Sequence, residues 1–199
     1  MGRAARRGKA THLLIEQYIK GLTPSERGVL PLGLFRLIKP YVDQINNIHC
    51  LETIMYSKKL TIAGQVDCIA EYNGKLSVID FKTANKERQE SWIDNYFLQC
   101  TAYAHMYEEI FGKPIEQIVI LLAGEDGSVA CYKKNPKDYT ESLGKAIQDF
   151  YKYYEEFEKF PVIELSKERI KSLLNNVLFE ATPKGNVIMY YDYDKESFN

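Results

Sequence analysis

The sequence predicts an α/β fold, a mixed central β-sheet flanked by helices. Two apolar-alternating runs meet at Asn73-Gly74, the strongest short-range signal for a two-residue type I′ hairpin. A nearly continuous apolar run, Ile115 to Ala123, has the pattern of a strand buried on both faces. Segments with helical spacing precede, separate and follow these runs, an order that calls for helices layered on a sheet.

In chain order, Lys9 to Ile19 reads as a helix, with Leu13, Leu14 and Tyr18 at helical spacing and Gly21 as its stop. Leu32 to Ile45 reads as a second, with Leu34, Leu37, Ile38, Tyr41 and Ile45 in one apolar stripe. Strands follow over about 49–57, 60–72 and 75–83. Gln89 to Phe111 is a long helix stopped by Gly112 and Pro114. The buried strand comes next, then a turn over Gly124 to Gly127 and an edge-like strand from Ser128 to Lys133. Pro136 to Phe160 is a helix rich in tyrosine and charge. Beyond Pro161, helix is expected within 166–180 and a strand or simply extended chain over 187–193. One domain is expected over 1–160, with 161–199 as an extension packed on it; its role stays open.

The 199 residues are 45% hydrophobic and 27% charged, which is globular, and the net charge of −1 announces no nucleic-acid partner. Arg3, Arg6, Arg7 and Lys9 nevertheless cluster without an acid among them. Cys50, Cys68, Cys100 and Cys131 form no Cys-x-x-Cys pair and sit in apolar segments, as small buried hydrophobes of a reducing, intracellular compartment. No apolar run approaches membrane-spanning length, and the basic start lacks the apolar region of a signal peptide.

The Asn73-Gly74 turn sets a register. Tyr72 faces Lys75, and outward pairing brings Asp67 opposite Asp80. Like charges so placed are destabilising, and a bound cation between them removes the penalty. Lys82, two residues past Asp80, points to the same face. Two carboxylates and a lysine on one face suit a metal site for phosphoryl chemistry. If Lys58-Lys59 makes a tight turn, Glu52 faces Gln65 and shares a sheet face with Asp67, as a third acid for a second metal or a supporting contact.

These residues extend into a longer pattern. Gly64-x-x-Asp67, Asp80-x-Lys82 and Gln99-x-x-x-Tyr103, in that order on hairpin and helix, resemble the PD-(D/E)XK nuclease superfamily. Gly8-x-x-x-His12 on the first helix narrows the resemblance to the RecB-like branch, nearest in spacing to its mitochondrial and phage exonucleases. Asp-x-Lys alone is weak; four motifs in order are strong together. Val66 stands where the superfamily name has proline, a form that many RecB-like members share. The cysteines lie inside the core elements, unlike those of iron–sulfur relatives, which flank the core.

The resemblance implies a restriction-endonuclease-like core and metal-dependent hydrolysis of DNA, single-stranded by likeness to the mitochondrial type. Resection of duplex ends and a non-catalytic DNA-binding module are the alternatives. It implies Mg²⁺ or Mn²⁺ on Asp67, Asp80 and the Phe81 carbonyl, with His12 as an imidazole ligand that favours Mn²⁺. Lys82 would orient or deprotonate water, or stabilise the transition state. Gln99 and Tyr103, one helical turn apart, would face the site. Glu16, a turn after His12, could fix its tautomer or be merely solvated. Lys86 and Arg88 could touch phosphates, and the basic start would lie near the DNA entrance. Trp92, Tyr96 and Phe97 could stack on bases, with Tyr96 and Phe97 more in keeping with packing. The compartment would be host cytoplasm for a phage protein or mitochondrial matrix for an organellar one.

Overall fold

The computed structural model describes residues 2–25, 28–157, 177–181 and 187–191. It divides into two units, residues 1–147 and 148–199. In the first, α1 (Arg3–Ile19) and α2 (Val29–Val42) precede three strands, β1 (Ile45–Ser57), β2 (Ile62–Tyr72) and β3 (Lys75–Ala84). A 3₁₀ turn (Glu90–Trp92) leads into α3 (Asp94–Phe111), followed by β4 (Gln117–Gly124) and β5 (Val129–Lys134). A second 3₁₀ turn (Pro136–Tyr139) opens α4 (Thr140–Phe157), whose end lies in the second unit. That unit also holds an antiparallel pair, β6 (Val177–Ala181) and β7 (Val187–Tyr191).

The sheet order is β1-β2-β3-β4-β5, antiparallel except for the parallel pair β3–β4. A parallel pair needs a crossover, and α3 supplies it. One hydrophobic cluster joins Phe97, Cys100, Ala104 and Met106 of α3 to Val66, Val78 and Ile120 of the sheet. The other joins Leu14, Ile15, Phe35 and Ile38 of α1 and α2 to Cys68, Ile79, Phe81 and Leu121. Helices therefore cover both faces, and β4, clad on each side, is buried from Ile118 to Gly124 as its unbroken apolar run predicts.

Several boundaries differ from expectation for local reasons. Helix α1 begins six residues before Lys9, because its basic first turns are carried by long-range bonds of Arg7. Helix α2 ends at Val42, two residues after Pro40, so Ile45 enters β1 and pairs with Tyr72 rather than closing the helical stripe. The helix expected from Gln89 is broken at Ile93, whose φ of −121° separates the 3₁₀ turn from α3. Strand β6 replaces helix where it overlaps the expected 166–180 segment; 166–176 lie outside the described residues. Among the described residues no helix is long and apolar enough to cross a membrane.

Candidate metal and catalytic site

The hairpin turn behaves as its sequence dictates. Asn73 (φ 52°) and Gly74 (φ 76°) both adopt the left-handed region that a type I′ turn requires, and Tyr72 pairs with Lys75. The β2–β3 ladder then runs outward to Cys68–Ile79 and stops, one step short of Asp67 and Asp80. The two aspartates occupy the next opposed position of that register but do not form a paired rung. Instead the Phe81 amide donates to Asp67 Oδ2 at 2.9 Å.

Strand β2 is irregular at the same place. Val66 belongs to the cluster under α3, and Cys68 to the cluster under α1 and α2. Two residues apart on a regular strand would share a face, so the alternation breaks at Asp67. On β1 the partner position is Glu52, with a φ of 48° in the left-handed region, where a glutamate is uncommon. Thr53 pairs with Val66 and Leu51 with Cys68, so Glu52 faces Asp67 and not Gln65. The cause is the connection: Ser57 pairs with Ile62, leaving a four-residue loop (58–61) where a tight turn was expected. The slip is two residues, which preserves parity and leaves Glu52 on the expected side. Gln65, which sequence reading did not single out, holds Glu52 Oε2 at 2.8 Å.

Helix α1 brings His12 to this opening. Its Nε2 lies 2.5 Å from the Phe81 carbonyl, and its Nδ1 lies 3.6 Å from Asp67 Oδ2. One ligand atom each from His12, Glu52 and Asp67 lie within 4.8 Å of one another. Glu16 is not part of the His12 contact; it pairs with Lys20 at 2.5 Å. Arg7 is drawn into the fold. It is 7% exposed and bonds Thr83, Asn85 and Glu125, clamping α1 to the chain leaving β3 and β4. Arg6 and Lys9 are exposed.

Asp80 is 2% exposed. Its Oδ1 accepts from Lys82 Nζ at 2.6 Å, and its Oδ2 is buried without a hydrogen-bond partner. Burial, reinforced by the charge of Asp67 and opposed by Lys82, pushes the Asp80 carboxyl up to about 7. Burial works against the Lys82 ammonium, but the charge and hydrogen bond of Asp80 outweigh it and hold its pKa above the usual lysine value. Glu52 is pushed up to about 7 by burial and then by the charges of Asp67 and Glu16.

These features fit a divalent cation. The charge of Asp67 raises both Asp80 and Glu52, the His12 ring lies beside Asp67 and Glu52, and a buried carboxylate oxygen of Asp80 has no partner. Hard oxygens with one imidazole suit Mg²⁺ or Mn²⁺.

Helix α3 closes the other side. Gln99 Nε2 donates to Tyr103 Oη at 3.1 Å, as their spacing predicts. Lys82 Nζ lies 4.9 Å from the Tyr96 ring centre, and Phe97 is wholly buried in the core. The Tyr103 ring lies against Gly64, where an added Cβ would come within 2.9 Å of its Cε1 and 3.0 Å of its Oη. The glycine of Gly64-x-x-Asp67 thus admits the tyrosine of Gln99-x-x-x-Tyr103. Gly64→Ala is expected to cost about 1–3 kcal/mol through overpacking, and to lower activity by displacing Tyr103; thermal melts and cleavage assays on one preparation check both. Gly8, by contrast, has room: a Cβ there would meet Thr83 Oγ1 at 3.7 Å.

The family model described as the PD-(D/E)XK nuclease superfamily matches residues 32–186. The chain belongs to that superfamily. This PD-(D/E)XK chain is 30% identical over 130 residues to mitochondrial genome maintenance exonuclease 1 of Homo sapiens, covering 62% of its own length and 38% of the relative. The Mus musculus protein of the same name is 32% identical over the same shares. The chain thus spans under two-fifths of the curated relatives it matches. A crystallised exonuclease candidate from Eubacterium rectale shares the fold, with a TM-score of 0.56, 10% identity, and coverage of 88% of this chain and 77% of that one. The PD-(D/E)XK match begins after α1, so His12 stands outside it and rests on the geometry above.

Proposed function

We propose that this chain is a divalent-metal-dependent DNA exonuclease that hydrolyses phosphodiester bonds, acting on single-stranded DNA in replication, recombination or repair. The supporting observation is Asp80: a buried carboxylate with one oxygen on Lys82 and the other unpartnered, beside Asp67. The relatives named above carry the word exonuclease, which extends superfamily membership toward attack from an end.

Asp67, Asp80 and His12 would hold Mg²⁺ or Mn²⁺, with Glu52 beside Asp67 as a further oxygen donor. Such an ion supplies charge neutralisation at the scissile phosphate and acidifies water. The chain's own groups do the rest. The Phe81 amide fixes one Asp67 oxygen, and the Phe81 carbonyl fixes the His12 ring. Lys82, kept cationic by Asp80, stabilises negative charge as it grows on the phosphate and can orient the attacking water. Gln99, exposed on α3 and bonded to Tyr103, can contact a phosphate oxygen or that water. The cysteines are all free, with Cys50, Cys68 and Cys100 buried, in keeping with a reducing compartment.

The test is digestion of end-labelled linear single-stranded DNA alongside closed circular single-stranded DNA. Mg²⁺ or Mn²⁺ should produce shortening of the linear strand and leave the circle intact, and EDTA should stop it. Cutting of the circle would refute exonuclease action; inertness toward both would refute nuclease activity.

A further inference from the structure

A second feature lies beside this site and is not used by it. Ala4, Arg7, Asn85, Lys86, Glu87, Arg88 and Trp92 line a cavity of about 410 Å³, within the size range of small-ligand sites. Trp92 is 58% exposed. The backbone beneath it is pinned. The Trp92 amide donates to Gln89 at 3.0 Å, Glu90 pairs with Lys134 on β5, and Ile93 is wholly buried. Lys86 and Arg88 are exposed in the loop leaving β3. Arg7 forms the floor, already neutralised by Glu125.

The cavity is adjacent to the proposed chemistry through two elements. Arg7 and His12 are five residues apart on α1, about 7.5 Å along its axis at the rise of an α-helix. Asn85 directly follows β3, which carries Asp80 and Lys82. The cavity wall at Arg7 and Asn85 is therefore continuous with the elements that carry His12, Asp80 and Lys82.

We infer that the cavity is a nucleotide subsite, in which one unpaired base of the DNA strand stacks on Trp92 while Lys86 and Arg88 hold the phosphates on either side. This rests on the nuclease function proposed above. Stacking suits the observations better than phosphate binding alone. Glu87 shares the cavity and would oppose a phosphate at its centre, whereas an indole face accepts any base. A pinned, exposed aromatic also loses little freedom on binding.

The chain has a single tryptophan, so its fluorescence reports this site alone. EDTA-treated wild-type protein is titrated with a thymidine 12-mer and with an abasic 12-mer of equal charge. The thymidine strand should quench the indole and the abasic strand should not. Trp92→Ala should weaken binding of a labelled 12-mer roughly 5- to 100-fold, and Trp92→Phe should restore part of it. Fluorescence unchanged at saturating thymidine 12-mer, or quenched equally by the abasic strand, overturns the subsite even if the enzyme cuts DNA normally. A wild-type protein that neither binds nor cuts DNA overturns the nuclease function itself. The fluorescence arm needs no variant, so a misfolded substitution cannot mask the result.

Discussion

Asp80→Asn is expected to reduce cleavage by about 10³-fold or more, and to remove most of the stabilisation that Mn²⁺ confers on the wild-type protein. The substitution keeps the shape of a side chain that is 2% exposed, and it keeps an oxygen for Lys82. It removes the charge of an oxygen that has no protein partner. Stabilisation of transition-state charge by a bound ion amounts to several kcal/mol, which sets the size of the loss. A ligand at a hundredfold excess over its Kd stabilises by about 2.7 kcal/mol, roughly 5–10 °C for a chain of this size. The effect has a pH sign. Asp80 is raised from 3.8 to about 7 and Glu52 from 4.5 to about 7. Between those limits the folded protein holds more protons than the unfolded chain, so metal-free stability falls as pH rises through the window and the penalty is complete above about 7. A bound cation needs the deprotonated forms, so its stabilisation grows across the same window. Melting curves with and without Mn²⁺ at pH 6 and pH 8 should show the larger metal shift at pH 8 in wild type and little shift at either pH in Asp80→Asn. An equal Mn²⁺ shift in both proteins would remove Asp80 from the metal site.

Most of this site could be read from the chain because its parts are local or periodic. Asn73-Gly74 fixes a register that carries Asp80 and Lys82 to one face, and helical spacing joins Gln99 to Tyr103. Such relations depend on turn geometry and side-chain period, which a few residues determine. What escaped reading depends on contacts between distant segments. The end of the β2–β3 ladder at Cys68–Ile79, where the alternation of β2 breaks, is a property of the assembled sheet that the turn alone does not reveal. The position of Glu52 followed from the length of the loop at 58–61, and a two-residue error there was harmless only because side chains alternate with period two. Arg7 illustrates the opposite failure. In sequence it belongs with Arg3, Arg6 and Lys9, but its partners Thr83, Asn85 and Glu125 lie far along the chain, and no local pattern marks them. The tie between Gly64 and Tyr103 is of the same kind: two motif residues whose contact neither motif reveals.

Lys82→Met should lower kcat by about 10²- to 10⁴-fold while leaving KM near the wild-type value. An interaction made only as charge develops in the transition state is lost from kcat alone, and positioned donors of this kind commonly contribute that much. Methionine retains the unbranched stem, and its sulfur can rest near the Tyr96 ring that Lys82 now approaches. The stability of the variant separates a catalytic lysine from a merely structural one. Without Lys82, both Asp80 oxygens lack a partner in a buried setting. Breaking a fully buried pair costs about 3–5 kcal/mol. The Lys82 side chain is 20% exposed and Asp80 can take up a proton, so about 1–3 kcal/mol is the expected loss in metal-free protein. Lys82 is among the groups that hold the Asp80 pKa down. Its removal lets Asp80 stay protonated to higher pH, so the loss should be small at pH 6 and larger at pH 8.5. Mn²⁺ should recover most of that stability by replacing the missing positive charge, yet it should not recover cleavage. A structural lysine would show the converse, with cleavage returning as the fold is restored. A Lys82→Met protein that cleaves at the wild-type rate would remove the lysine from the mechanism.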